Sequence, residues 1–219
     1  GEAIMSNQND ICELLFENEQ NSEALLMPIR ENGGNIETLY HDSGLEKWVS
    51  LQKLEFFSNQ NDGGRIYQYY IALLDLLSEL CLDRNYQCIN VLEGLYKFDF
   101  IYACANDQRL PFDLRARFTK LIIHLFVDRE PFEPLTLPSL TTVWDDIRKP
   151  EYVKLMSSHA KITQQLQVLK KFVRSYLVEC KGVQKSYERS KNLLTLEVLN
   201  LCKFLCRFGF YLDESELEE

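Results

Sequence analysis

Apolar residues recur at helical spacing in four long stretches of the chain, and the clearest of these runs from Leu114 to Leu125. Its apolar side chains fall at i, i+4, i+7, i+8 and i+11: Leu114, Phe118, Leu121, Ile122 and Leu125. Residues with this spacing share one face of a helix that has 3.6 residues per turn. Pro111 suits the first turn, where its missing N–H costs nothing, and Pro131 cannot continue the helix. The spacing predicts a helix over residues 111–128.

Three further stripes with the same spacing predict long helices. Their members are Ile66, Tyr70, Leu73, Leu74, Leu77, Leu80 and Cys81 in the first, Ile162, Leu166, Leu169, Val173, Tyr176, Leu177 and Cys180 in the second, and Leu194, Val198, Leu201, Cys202, Leu205 and Phe208 in the third. Shorter helices are expected near 9–17, 36–57, 84–106 and 138–147. No segment alternates apolar and polar residues over the length of a strand between turn signals, so the pattern predicts an all-α protein.

The composition agrees with a folded, mainly helical protein. Hydrophobic residues make up 46% of the 219 residues and charged residues 26%, and there are only nine glycines and six prolines. The longest apolar stretches are interrupted by acidic residues or are too short to cross a bilayer, so we expect a soluble chain without membrane contact. The seven cysteines are scattered along the chain, which is typical of a reducing compartment.

Basic residues concentrate in one segment of an otherwise acidic chain. The net charge is −9, yet residues 147–191 carry 11 basic and three acidic side chains, whereas residues 1–146 carry 11 basic and 24 acidic ones. Such a segment can bind nucleic acid, an anionic lipid surface or an acidic neighbour, or it can be a solvated helix face. Binding would need these residues to share a face: Lys149, Lys154, Lys161, Lys170, Lys171 and Arg174. Their helical positions are spread out, which favours the solvated face, and we expect no nucleic-acid partner.

Two local groups could hold a metal ion. Asp145 and Asp146 form a carboxylate pair of the kind that holds magnesium in all-α enzymes, but no second acidic cluster has a matching spacing. Cys202 and Cys206 lie one helical turn apart, but a structural zinc site needs four ligands. The sequence also lacks a Gly-rich phosphate loop and a nucleophile elbow. We therefore expect no enzymatic activity, metal or cofactor, and an all-α enzyme built around the two aspartates is the alternative.

A polar flank accompanies the apolar face of the helix predicted around Phe118 and Leu121. On a helical wheel Arg117, Lys120 and His124 cluster on the side away from these two residues. A charged flank on a packed helix contacts either another element of the chain or an external partner. The flank is therefore a candidate docking edge on a structural helix.

Four segments resemble, in the same order, segments of the inositol 1,4,5-trisphosphate receptor family. They are CLDRNY (81–86), LPFDLRARF (110–118), HLFVDREP (124–131) and LTLEVLNLCKFLCRFGFY (194–211). The similar part of that family is the cytosolic helical region that follows the ligand-binding core, a homology region shared with ryanodine receptors. Ryanodine receptors are therefore the second choice of family.

The resemblance implies an armadillo-like helical solenoid, with weakly matched helices over 1–64 and the homology region over 65–219, or one continuous domain. It implies a coupling region of a tetrameric calcium-release channel on the cytosolic face of the endoplasmic reticulum, which relays inositol trisphosphate binding toward the pore. The implied partners are other domains of the same chain and neighbouring subunits. In the family, the phosphate-binding residues lie upstream of the matched region and the pore helices lie downstream.

The resemblance and the polar flank together give the candidate interaction residues. They are Arg115, Arg117, Lys120, His124, Asp128 and Arg129. The resemblance also implies regulatory calcium near the junction of this helical region with a later one, and the backbone carbonyl of Arg115 is the candidate contributor. Calcium is thus expected only in the full-length channel. The alternative function is a stand-alone helical module that binds proteins or anionic surfaces through residues 147–191.

Overall fold

Helices make up most of the computed structural model, which describes residues 2–16, 29–33, 35–42, 45–53, 63–129, 150–180 and 188–208. The helices are α1 (Glu2–Phe16), α2 (Gly63–Leu80), α3 (Tyr86–Leu95), α4 (Phe98–Asn106), α5 (Phe112–Ile122), α6 (Pro150–Glu179) and α7 (Arg189–Arg207). The strands are β1 (Ile29–Asn32), β2 (Asn35–Asp42) and β3 (Leu45–Ser50).

Helix α5 lies at the centre of the helical packing, in contact with α2, α4 and α7. All residues of the apolar stripe predicted for it are fully buried. Arg115, Ala116 and Thr119 are buried as well, so α5 is covered on nearly all sides rather than on a single face. Inside this core the rings of Tyr70 and Phe118 meet edge to face, with 6.4 Å between their centroids. The main core of the protein is therefore built around α5.

The helix predicted over residues 111–128 is confirmed, with a change of geometry in its last turn. Ile123–Val127 form a π-helical turn, in which the Asp128 amide donates to the Ile123 carbonyl, five residues earlier, at 2.7 Å. Such a turn contains one residue more than an α-helical turn. Leu125 and Val127 within it remain buried, so the apolar face continues to the end of the helix.

The helices predicted from the other three apolar stripes are confirmed as α2, α6 and α7. The helix expected near 9–17 corresponds to α1. The helix expected near 84–106 is in fact two helices, α3 and α4, because the backbone is extended at Tyr96 and Lys97. The helix expected near 138–147 lies outside the described residues.

The mostly helical structure agrees with the all-α prediction except for one small antiparallel sheet. Its strand order is β1-β2-β3, and the helix expected near 36–57 is wrong over β2 and β3. Asn32 pairs with Asn35 at the end of the first hairpin, and Asp42 pairs with Leu45 at the end of the second. Each hairpin is therefore closed by a two-residue link.

The local sequence gives the reason for this sheet. The link between β1 and β2 is Gly33-Gly34, and Gly33 has a φ of +56°, which glycine adopts without strain. Two-residue links that contain glycine favour tight hairpins. Ile36 and Leu39 are three residues apart, a spacing that also occurs in helices, so periodicity alone does not separate the two structures here. The fold is thus mostly helical with one small sheet.

Two general expectations about the chain can be compared with the structure. In the described part of the chain, no helix combines the length and the apolar character needed to cross a membrane. All seven cysteines are free thiols. Four of them, Cys12, Cys81, Cys88 and Cys104, are buried, where they pack as small apolar side chains.

Candidate functional site

The polar flank of α5 faces α2 and forms ion pairs with it. Arg117 Nε lies 2.9 Å from Asp75 Oδ2, and Lys120 Nζ lies 2.6 Å from Glu79 Oε1 and 3.6 Å from Asp75 Oδ1. We call these four residues the α2–α5 charge cluster. The side chains of Arg117 and Lys120 keep 20% and 22% of their surface exposed. In this structure the candidate docking edge therefore contacts another helix of the same chain.

Regular helix geometry brings the four charges together. Asp75 and Glu79 are four residues apart on α2, and Arg117 and Lys120 are three residues apart on α5, so each pair projects from one helix face. The Tyr67 hydroxyl adds a hydrogen bond to the Asp113 carboxylate near the other end of the same interface. The two helices are therefore joined by polar contacts along one edge, beside their apolar core.

His124 lies in the π-helical turn, against α7. Its ring meets the ring of Phe204 edge to face, with 6.3 Å between the centroids. Its Nδ1 atom is enclosed and has no hydrogen-bond partner among the described residues. Burial, reinforced by the nearby charge of Lys120, lowers the pKa of His124, while Asp128 and Glu79 partly oppose this shift. The packing therefore favours the neutral imidazole.

Arg115 is the most buried of the charged candidate residues, with 6% of its surface exposed. Its Nε atom donates to the Ala105 carbonyl at 3.0 Å, and its guanidinium carbon lies 6.0 Å from the centroid of the Phe112 ring. Burial lowers the pKa of Arg115, and neighbouring acidic groups partly oppose this shift. The side chain thus joins the first turn of α5 to the end of α4.

The expected calcium contact at the Arg115 carbonyl stays a prediction. That carbonyl lies inside α5 and accepts a hydrogen bond from the Thr119 hydroxyl at 2.8 Å. In the described ranges, no group of three or more His, Cys, Asp and Glu side chains could hold a metal ion. The cysteine pair at 202 and 206 is only partly buried, since Cys206 is exposed. Burial and the nearby Cys206 raise the pKa of the Cys202 thiol.

Asp128 and Arg129 join the end of α5 to the α2–α3 corner and to α3. Arg84 Nε lies 3.2 Å from Asp128 Oδ1, and Arg129 Nη2 lies 2.6 Å from Glu93 Oε2. Asp83 and Arg84 have φ values of +57° and +60°, in the left-handed region that residues with a Cβ rarely adopt. The corner between α2 and α3 thus holds an unfavourable backbone conformation, and Arg84 makes its ion pair with Asp128 from within it.

Buried polar side chains attach α1 to the start of α3. Asn85 caps α3 by accepting a hydrogen bond from the Cys88 amide at 3.4 Å, and its side-chain nitrogen donates to Asn9 Oδ1 at 2.8 Å. Gln8 donates to the Glu79 carbonyl at 2.8 Å. We call Gln8, Asn9, Asn85 and Cys88 the α1 contact.

Sequence reasoning missed the partners of the candidate residues. These partners are Asp75, Glu79, Arg84 and Glu93. The available signal was that Asp75 and Glu79 form a narrow polar strip on an otherwise apolar helix. Which helix such a strip faces is set by tertiary packing, and helical periodicity does not contain this information.

The basic segment and the paired aspartates are described only in part. Lys171 and Arg174 are exposed on α6, and Lys170 is half-buried. Outside the described part of the chain lie Asp145, Asp146 and Lys149, together with the side chains of Lys154 and Lys161.

Two curated proteins are similar to this chain. The inositol 1,4,5-trisphosphate receptor itr-1 of Caenorhabditis elegans is 31% identical over an alignment of 179 residues, and the match covers 70% of this chain and 6% of that receptor. The inositol 1,4,5-trisphosphate receptor-like protein A of Dictyostelium discoideum is 26% identical over 145 residues, which cover 66% of this chain and 4% of that protein. The chain is an inositol 1,4,5-trisphosphate receptor-type region.

The resemblance stated from the four sequence segments is thereby confirmed. The inositol 1,4,5-trisphosphate receptor-type region spans only 6% and 4% of the lengths of these two relatives. No protein-family model matches the chain.

Proposed function

We propose that this region is a non-catalytic coupling segment of an inositol trisphosphate-gated calcium-release channel. Its similarity to two inositol 1,4,5-trisphosphate receptors is the observation that carries the proposal. A segment that couples distant sites moves as a stiff body, or shifts against its neighbours between discrete arrangements. A helix covered on nearly all sides, as α5 is, suits such a body.

Contacts along α5 support its role as the centre of a stiff unit. The Arg115 side chain holds α4, the α2–α5 charge cluster holds α2, and Asp128 holds the corner between α2 and α3 through Arg84. A displacement of α5 is therefore transmitted to three neighbouring elements. The candidate interaction residues act, in this proposal, mainly by joining helices of the same chain.

The proposal extends to the surroundings of the region. In this proposal the helices of the region belong to an armadillo-like solenoid. The solenoid is either one continuous domain or is divided into the segments 1–64 and 65–219. The region lies on the cytosolic side of the endoplasmic reticulum, and its partners are other domains of the same chain and neighbouring subunits of a homotetramer. It has no cofactor of its own, and calcium binding belongs to the full-length channel.

The test is a charge reversal in a full-length channel that contains this region. Arg117→Glu with Lys120→Glu places like charges across the α2–α5 interface, so we expect several-fold lower sensitivity of calcium release to inositol trisphosphate. Binding of radiolabelled inositol trisphosphate should keep its affinity. Adding Asp75→Lys and Glu79→Lys restores opposite charges, and this fourfold variant should recover most of the sensitivity.

A matched control reverses two charges that do not bridge helices. Lys203 and Arg207 are exposed on α7, and Lys203→Glu with Arg207→Glu should leave calcium release unchanged. Unaltered release sensitivity in the Arg117/Lys120 variant would contradict the coupling role. A parallel loss of ligand affinity would indicate general disruption of the channel rather than of coupling.

A further inference from the structure

A cleft of about 520 Å³ lies between the β1–β2 hairpin and α4. Glu31 and Ile36 form a cross-strand pair, and the side chains of such a pair lie on the same face of a sheet. Both residues line the cleft from the hairpin side, and Phe100 and Ala103 line it from α4. Clefts of this size commonly hold a small ligand or part of a peptide.

The cleft has an apolar floor that is supported by the main core. Ile36 is only 5% exposed, and Phe100 and Tyr102 are partly buried against the same core. Tyr102 in turn stacks on Phe98, with 6.0 Å between the ring centroids. The floor therefore presents aromatic and aliphatic surface that is fixed from behind.

Five charged residues line this cleft, and three of them already have partners. Arg109 contacts both carboxylate oxygens of Asp107 at 2.9 Å, and this pairing lowers the pKa of Asp107. Lys97 donates to a backbone carbonyl one turn earlier at 3.3 Å. The carboxylates of Glu31 and Asp99 have neither an ion pair nor a hydrogen bond within the described structure. With Arg109 and Asp107 paired, the lining keeps two carboxylates against the one ammonium group of Lys97, which is a net charge of −1.

We propose that this cleft binds an arginine side chain carried by a basic peptide of a partner protein. The guanidinium stacks on the Phe100 ring and pairs with the carboxylates of Glu31 and Asp99, while the alkyl stem covers Ile36. Arginine combines a planar, weakly hydrated cation with an apolar stem, so it matches an aromatic floor beside free carboxylates. Charge-assisted hydrogen bonds to a carboxylate are also stronger than neutral ones.

Other ligand classes fit this cleft less well. An anionic group would be attracted by Lys97 but repelled by both Glu31 and Asp99. An apolar side chain would take water from the two carboxylates without replacing its hydrogen bonds. A metal ion would find no set of three suitable side chains in the described residues. The assignment rests on the cleft itself and does not depend on the proposed coupling function.

The experiment uses the 219-residue chain and two synthetic probes, acetyl-Gly-Arg-Gly-amide and the same peptide with citrulline in place of arginine. Citrulline has nearly the same shape but carries no charge. Titration followed by ¹H–¹⁵N correlation spectra should show saturable shifts for the amides of Glu31, Ile36, Phe100 and Ala103 with the arginine peptide. The citrulline peptide should bind roughly tenfold more weakly, because it cannot form the ion pairs.

Two variants separate this cleft from general attraction of a basic peptide to an acidic protein. Glu31→Gln with Asp99→Asn should weaken binding of the arginine peptide roughly tenfold. Asp10→Asn with Glu13→Gln removes the same charge from α1, and this control should bind as the wild type does. Any of three results would overturn the proposal. They are equal binding by both double variants, equal binding of both peptides, and the absence of saturable shifts at millimolar peptide. Dispersed spectra of each variant establish that it is folded.

Discussion

The α2–α5 interface and the α1 contact hold helices together by different means. At the first, large side chains such as Tyr70, Leu77 and Phe118 are completely buried, and the charge cluster lies at the edge. At the second, the amide groups lie beside a small apolar cluster of Cys12, Leu80 and Cys88. Leu15 and Phe16 of α1 pack only partly buried against this cluster, and Ile4 and Leu14 are 58% and 75% exposed.

The difference shows which contact carries most of the free energy of folding. Burial of one large apolar side chain contributes about 1.5–3 kcal/mol, whereas a satisfied hydrogen bond contributes about 0.5–1.5 kcal/mol net. Loss of the α2–α5 interface should therefore unfold the described core. Loss of the α1 contact should release α1 while the rest remains folded, as expected for a unit of low local stability.

The largest expected effect comes from removing apolar volume at the centre of α5. Leu121 is fully buried, so Leu121→Ala should lower the free energy of unfolding by about 2–5 kcal/mol through lost burial and a cavity. Urea unfolding followed by far-ultraviolet circular dichroism measures this change. Leu199 on α7 is 49% exposed, and Leu199→Ala should cost less than about 0.5 kcal/mol. Similar losses in both variants would contradict the central position of α5.

A smaller effect is expected from opening the α1 contact. Asn85 is 3% exposed, and Asn85→Ala removes both the cap of α3 and the bond to Asn9, at a cost of about 1–3 kcal/mol. Hydrogen exchange should speed up mainly in α1 and the first turn of α3. Asn85→Asp keeps the capping oxygen but loses the donor to Asn9, so it tests that hydrogen bond apart from the cap. Faster exchange of similar size in α5 would show that α1 is not a separate unit.

The α2–α5 charge cluster should contribute less to the free energy of unfolding than the apolar core or the cap of α3. Arg117→Ala with Lys120→Ala should lower the free energy of unfolding by about 1 kcal/mol, because the partner carboxylates are partly solvated. The difference from wild type should shrink in 1 M salt, where screening extends over only about 3 Å. Denaturant unfolding at two salt concentrations tests this, and a difference that is independent of salt would assign the effect to lost packing.

The smallest expected effect is a pH dependence from His124. Its pKa is lowered in the folded protein from the ordinary value of 6.5, so the unfolded chain binds the proton more readily. Its contribution to stability is therefore complete above pH 6.5 and is lost as the pH falls through the folded-state pKa. His124→Gln should reduce the loss of stability between neutral and mildly acidic pH, as measured by unfolding at each pH. An unchanged pH profile would exclude His124 as its source.

The sequence predicts the helices of the core well because each has one broad apolar face with a period of 3.6 residues. Periodicity does not predict the strands, because Ile36 and Leu39 also fit a helical spacing. The signal that identifies the first hairpin is the Gly33-Gly34 link. The charges at 117 and 120 can also be assigned to one flank from the sequence. Their pairing with Asp75 and Glu79 cannot, because it depends on how two distant helices pack.

The π-helical turn has a consequence for the phase of the helix. Each residue advances an α-helix by about 100°, so the additional residue turns everything beyond it by that angle relative to an uninterrupted helix. Asp128 and Arg129 meet Arg84 and Glu93 in this altered phase. Deletion of one residue within 123–127 would remove the additional residue, so both side chains should keep about their present direction in an ordinary α-helical turn. A further residue inserted in the turn would instead shift both side chains by about 100°, so loss of one residue here should disturb the two ion pairs less than a gain of one.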